Sequence, residues 1–174
     1  MKTIKQLMKE TNGLETEAEL QMIFDTVSSL KPLVSVEIGC LFGLSSSVIA
    51  SAMQGNGRLI CIDNFMVQGS DTRPYFIQKT MPKYPIIELM DMDSLKASYE
   101  FSEPIDFLFI DGDHQDDGIQ RDLKSWLPKL SSKGIVAFHD YYNDQFPSIG
   151  RRVDEYTQGF KFVGKADSLI IKKV

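Results

Sequence analysis

Between residues 33 and 138, five short apolar runs alternate with stretches of helical spacing. The runs occupy residues 33–38, 58–62, 86–90, 105–110 and 134–138. They read as continuous rather than alternating, most clearly in Phe107-Leu108-Phe109-Ile110. A strand with one wet face alternates, whereas a strand covered on both faces does not. Helices over residues 44–53, 73–81, 94–101 and 117–130 would supply that cover, with Ser94 and Asp117 as N-caps. Strand and helix in such succession predict an α/β fold, a doubly wound parallel sheet with helices on both faces. A last helix is expected over residues 147–158. Residues 160–165 and 168–172 then read as two final strands joined at Ala166-Asp167, which would place one antiparallel strand in the sheet.

The first 31 residues read as helix. Leu14, Ala18, Met22 and Ile23 recur at helical spacing, as do Leu20, Phe24 and Val27. Asn12-Gly13 should break this region and Lys31-Pro32 should end it. The 174 residues are therefore expected to form one domain, with residues 1–31 as a helical cap on a core of residues 32–174.

Nineteen Lys and Arg against 24 Asp and Glu leave a net charge of −5, which argues against a nucleic-acid partner. The apolar runs are far shorter than the ~20 residues that cross a bilayer. The start, Met1-Lys2-Thr3-Ile4-Lys5-Gln6, lacks the apolar core of a signal peptide. Cys40 and Cys61 sit in apolar stretches and read as reduced, buried thiols. A cytoplasmic location without membrane association is expected, and self-association is left open.

In doubly wound sheets, ligands bind beyond the carboxyl ends of the strands. The first strand runs into Glu37-Ile38-Gly39-Cys40-Leu41-Phe42-Gly43-Leu44. Two glycines there permit a tight turn and close approach of a ligand to the backbone, and the following helix offers free N–H groups. The second strand ends at Asp63, twenty residues past Gly43, where an acid commonly accepts hydrogen bonds from ribose hydroxyls. The plainer alternative is a packing glycine and an aspartate that caps a loop. The second glycine of a dinucleotide fingerprint, which admits the pyrophosphate, is replaced by Leu41. No G-x-x-x-x-G-K-[ST] motif occurs. The expected ligand has a ribose and no pyrophosphate, and S-adenosylmethionine fits that description.

Glu37-x-Gly39-x3-Gly43 followed by Asp63 resembles the first two motifs of class I S-adenosylmethionine-dependent methyltransferases. Met92-Asp93-Ser94 is similar to their Gly-Asp-Ser motif, with Met92 in place of the glycine. Phe109-Ile110-Asp111-Gly112-Asp113-His114, with Asp122-Leu123, Trp126-Leu127-Pro128, Gly134 and His139-Asp140-Tyr141, resembles a narrower branch. These are small bacterial enzymes related to catechol-type and to antibiotic- and sugar-modifying O-methyltransferases. The resemblance spans about residues 33–174 and implies a seven-stranded, Rossmann-like sheet whose last strand is antiparallel.

By this resemblance, Glu37, Gly39 and Gly43 would bound the methionine end of the cofactor and Asp63 would hold the ribose. Asp93 and Ser94 would flank the adenine, and Asp111 would close the cofactor site. Asp111 and Asp140 match the first two metal-ligand positions of metal-dependent relatives. The third would be Tyr141, where catechol-type members have Asn, while other relatives place an acid where this chain has His139. A divalent cation such as Mg²⁺ would then be held by Asp111, His139 and Asp140.

Both histidines of the chain, His114 and His139, fall at this predicted edge beside Asp113 and Asp140. A hydroxyl acceptor must lose its proton, either to a histidine base or with help from a cation. His114 is the candidate base if a metal binds, and His139 if none does; with Asp111 they form the catalytic candidates. Asp116 and Asp117 read as loop or cap residues. Acceptor contacts are expected from the loops over residues 64–72 and 141–150, including Tyr141, Tyr142, Asn143 and Phe146. Arg151-Arg152 reads as a solvated helix face. The expected reaction is O-methylation of a small molecule or glycan precursor. The rivals are a non-catalytic S-adenosylmethionine-binding module, an NAD(P)-dependent oxidoreductase, which Leu41 opposes, and a metal phosphoesterase, which would want more histidines.

Overall fold

The computed structural model describes residues 2–67 and 70–174. Residues 68 and 69, within the expected acceptor loop over 64–72, lie outside the described residues. Helices α1 (Ile4–Glu10) and α2 (Glu17–Leu30) open the chain. β1 (Val34–Ile38), α3 (Leu44–Met53) and β2 (Arg58–Asp63) form the first crossover unit. A short antiparallel ribbon follows, β3 (Met66–Val67) with β4 (Ser70–Asp71), and then α4 (Arg73–Tyr75). The remaining core is β5 (Ile87–Asp91), α5 (Ser94–Glu100), β6 (Ile105–Ile110), α6 (Asp116–Trp126) and β7 (Leu130–Phe138). α7 (Pro147–Tyr156), β8 (Lys161–Ala166) and β9 (Leu169–Lys173) complete it.

The main sheet has seven strands in the order β5-β2-β1-β6-β7-β9-β8. β5, β2, β1, β6 and β7 are mutually parallel. β9 is antiparallel to both β7 and β8 and lies between them, so the last strand is the antiparallel one, as its sequence suggested. The chain builds outward from β1 to β2 and β5, then returns to β6 on the other side of β1. The reversal therefore falls between β1 and β6, the place where ligands bind in such sheets.

The continuous apolar runs have a direct explanation. Phe107 and Phe109 of β6 enter one core with Leu20, Ile23 and Val27 of α2 and Val48 of α3. Leu108 and Ile110 enter the opposite core with Leu123 and Trp126 of α6 and Val153 of α7. Successive side chains point to opposite faces, and both faces are covered. The cysteines are free and buried. Among the described residues, no helix is long and apolar enough to cross a membrane.

Several local expectations are corrected. Leu14 is 84% exposed and lies before α2, because a Thr16–Glu19 capping box starts that helix at Glu17. The stretch over 73–81 is not one helix: α4 passes into a π-turn over Phe76–Thr80 and a 3-10 turn over Met81–Lys83. Pro82 lacks the N–H that an uninterrupted α-helix would need there. The N-cap of α5 is Asp93 rather than Ser94, and its side chain accepts the N–H groups of Leu95 and Lys96. α6 has Gln115 at its N-cap, with no side-chain cap from Asp117. β7 begins at Leu130 behind a register shift against β6, not at residue 134. The final hairpin turns at Asp167-Ser168, with Asp167 at φ 44°.

Candidate active site

The loop from β1 to α3 is shaped by two left-handed glycines. Gly39 has φ +86°, and a Cβ there would lie 2.0 Å from the carbonyl oxygen of Asp111. The ends of β1 and β6 thus touch at a point that only glycine fits. Gly43, at φ +90°, is the N-cap of α3 and packs against Thr80 and Phe76. Leu41, between them, holds φ 46°, which is costly for a bulky residue. Asp63 compensates: its Oδ2 accepts the N–H groups of Cys40 (2.7 Å) and Leu41 (2.9 Å), and its Oδ1 accepts that of Phe65 (2.7 Å). Asp63 therefore braces the loop directly. α3 starts with no side-chain cap and no acid in its first turn.

Glu37 lies under this loop with no exposed surface. Its Oε2 accepts the Ser46 hydroxyl and has Cys61 Sγ at 3.3 Å, while Oε1 has no protein partner. Burial pushes its carboxyl up to about 7. On the other flank, Ser94 donates its hydroxyl to Asp122, and Trp126 Nε1–H donates to the Ser94 carbonyl at 3.2 Å. Burial pushes Asp122 up to about 6.

Beyond the ends of β6 and β7, the acids and imidazoles gather. Asp111 follows β6, and His139 and Asp140 follow β7, with Asp140 in the left-handed region at φ 55°. His139 Nδ1 lies 3.2 Å from both Asp111 Oδ1 and Asp140 Oδ2. Its Nε2 lies 3.3 Å from Glu19 Oε2. Burial alone would favour a neutral ring, but the three carboxylates outweigh it and raise the pKa of His139. His114 Nε2 lies 2.7 Å from Asp140 Oδ2, which raises its pKa, and its ring packs on Phe146 at 4.7 Å. Asp140 is buried, yet hydrogen bonds from His114, His139 and Asn143 hold its carboxyl far below the usual range.

The structure thus brings Asp111, His114, His139 and Asp140 together beyond the ends of β6 and β7, where Asp111 adjoins the reversal point and the loop braced by Asp63. It adds two acids that the sequence reading missed, Glu15 and Glu19. Glu15 is buried, which together with Asp111 raises its pKa. Glu19 is buried as well, but hydrogen bonds from His139, Ser168 and Thr16 hold it at about 2. The available signal was Thr16-x-x-Glu19, which reads as a capping box and conceals a second use of the same carboxylate. Tyr141 does not face the cluster: its hydroxyl donates to Asp154 at 2.8 Å, and Tyr142 packs against it. The amide that reaches Asp140 belongs instead to Asn143, at 2.8 Å. Arg151 and Arg152 both pair with Asp116, tying α7 to α6.

The family described as a methyltransferase domain matches residues 36–141, well over half of the chain. No curated protein matches. Several solved structures share the fold at low identity. A methyltransferase of Podospora anserina, PaMTH1, bound to S-adenosylhomocysteine (SAH), has a TM-score of 0.73 at 14% identity, covering 98% of this chain and 85% of its own. An O-methyltransferase of Bacillus cereus in complex with SAH has a TM-score of 0.67 at 15% identity, covering 99% of this chain and 90% of its own. CalS11, a TDP-rhamnose 3′-O-methyltransferase of calicheamicin biosynthesis, has a TM-score of 0.67 at 15% identity, covering 98% and 92%.

Proposed function

The chain belongs to the methyltransferase-domain family, and from that membership we propose that it transfers a methyl group from S-adenosylmethionine to a hydroxyl of a small molecule or sugar. One observation carries this reading: a braced glycine loop at the reversal point of the sheet adjoins a carboxylate–imidazole cluster through Asp111. When bound, S-adenosylmethionine supplies an electrophilic methyl on a sulfonium.

The residues present fit that cofactor. The uncapped N-terminus of α3 suits the carboxylate of the methionine end, and the orphaned Oε1 of Glu37 sits beneath the same loop. Asp63 accepts three backbone N–H groups and retains a lone pair for a ribose hydroxyl. Asp93 and Ser94 stand on the far flank for the adenine. Leu41 fills the place where a pyrophosphate would need glycine. The free, buried thiols suit a cytoplasmic setting.

The cluster also fits a divalent cation. Two carboxylate oxygens stand 3.2 Å from one imidazole nitrogen, while the other nitrogen faces Glu19, the arrangement in which a carboxylate orients a ligating histidine. Asp111, His139 and Asp140 would hold the ion, which would lower the acceptor hydroxyl's pKa and fix its oxygen. His114 is bonded to Asp140 through Nε2, so its Nδ1 is the nitrogen left to take the acceptor proton. Phe146, packed on that ring, gives the acceptor an apolar wall. CalS11, a sugar O-methyltransferase of the same fold, supports a sugar or similar hydroxyl as the target.

The test is transfer of isotopically labelled methyl from S-adenosylmethionine to a panel of sugar and phenolic hydroxyls, with and without Mg²⁺. Labelled ether products that require Mg²⁺ are expected. SAH binding with no transfer to any acceptor would point instead to a non-catalytic binding module.

A further inference from the structure

We propose that Glu19, carried on α2 outside the crossover core, is a positioning residue that decides which ring nitrogen of His139 faces the space between Asp111 and Asp140. The inference rests on the divalent-cation reading above. Glu19 is 2% exposed, and both of its oxygens are committed. Oε1 accepts the N–H (2.9 Å) and the hydroxyl (2.6 Å) of Ser168 in the β8–β9 turn. Oε2 accepts the Thr16 N–H at 2.8 Å and lies 3.3 Å from His139 Nε2.

A carboxylate only accepts, so this contact requires the proton on Nε2. Nδ1 lies 3.2 Å from both Asp111 and Asp140, so without a cation it too carries a proton, and a cation entering between the two carboxylates displaces that proton and leaves a neutral ring protonated on Nε2. That is the form in which imidazole ligates a cation. Helix capping alone does not account for the arrangement. The capping box uses one contact, to Thr16 N–H, and glutamine would serve it equally well. The remaining contacts reach 149 residues along the chain to Ser168 and 120 to His139. Glu19 therefore links the N-terminal helix, the last hairpin and the end of β7, and holds the imidazole from behind.

The deciding experiment titrates the full chain with Mn²⁺ in the presence of SAH, by electron paramagnetic resonance, for the wild type, Glu19→Gln and Glu19→Ala. Glu19→Ala should weaken Mn²⁺ binding roughly 10–100-fold, as loss of a carboxylate behind a ligating histidine does. Glu19→Gln should weaken it less, because its one carbonyl oxygen can still accept the Nε2–H, at the cost of the two Ser168 contacts. SAH affinity should be unchanged in both. ¹⁵N spectra of the Mg²⁺-loaded wild type should show His139 protonated on Nε2, and Glu19→Gln should retain that tautomer. Wild-type Mn²⁺ affinity in both variants would overturn the proposal, as would parallel loss of SAH and Mn²⁺ binding. If Glu19→Ala does not fold, Glu19→Gln decides: reduced Mn²⁺ affinity with intact SAH binding supports the role, and wild-type affinity refutes it. A wild type that binds SAH but no Mn²⁺ would overturn the cation reading and this inference with it.

Discussion

Replacing Glu37 with glutamine should change the pH dependence of stability in a definite direction. Glu37 is fully buried, has an unpartnered Oε1, and is lifted by burial from 4.5 to about 7. An acid whose pKa rises on folding binds its proton more tightly in the native state. Its contribution is then most favourable below the unfolded pKa and declines as pH rises through the folded one. A rise from 4.5 to about 7 corresponds to about 3 kcal/mol lost across that window. For a chain of this size, each kcal/mol moves Tm by about 2–4 °C, so the loss is roughly 6–12 °C. Glutamine keeps the shape and an acceptor for Ser46 but cannot ionise. Asp122, lifted to about 6, titrates in both proteins and cancels from the comparison. Thermal unfolding of both proteins between pH 4 and pH 8 is the assay. The Tm of Glu37→Gln relative to wild type should climb by roughly 6–12 °C over that range. Parallel profiles would refute the claim that this carboxyl is buried without adequate compensation.

Asp63→Ala removes the acceptor of three backbone N–H groups beside a left-handed leucine; it should cost about 2–4 kcal/mol in denaturant unfolding and abolish the thermal shift with SAH. Gly39→Ala drives a Cβ to 2.0 Å from a backbone oxygen at φ +86°, so a loss of about 3 kcal/mol or more is expected, read as a fall in Tm and soluble yield. His114→Asn should leave SAH affinity unchanged and slow methyl transfer by roughly 10²–10⁴-fold, measured under single-turnover conditions.

The centre of the sheet was legible because β1, β2 and β6 are covered on both faces. Residues 107–110 had to be continuously apolar, since Phe107 and Phe109 serve one core and Leu108 and Ile110 the other. The glycine loop was legible too, since Gly39 and Gly43 stand at left-handed positions. Asp63 was read as a ribose ligand with loop capping as the alternative, and its contacts show the capping directly. What escaped was decided by contacts distant in sequence. Glu19 meets His139 across 120 residues, and a local pattern explains only its capping contact. Tyr141 turns to Asp154 on α7, so Asn143 rather than its neighbour approaches Asp140. At helix starts, Asp93 displaced Ser94 as a cap because Ser94 already donates to Asp122.

The central claim is that the reversal point between β1 and β6 takes an adenosyl cofactor without a pyrophosphate. Isothermal titration of the full chain with SAH, against NAD as the control, tests it most directly. One SAH per chain, with binding lost in Asp63→Ala and no heat from NAD, is the predicted result. No binding of SAH at millimolar concentration, or binding of NAD in its place, would contradict the account.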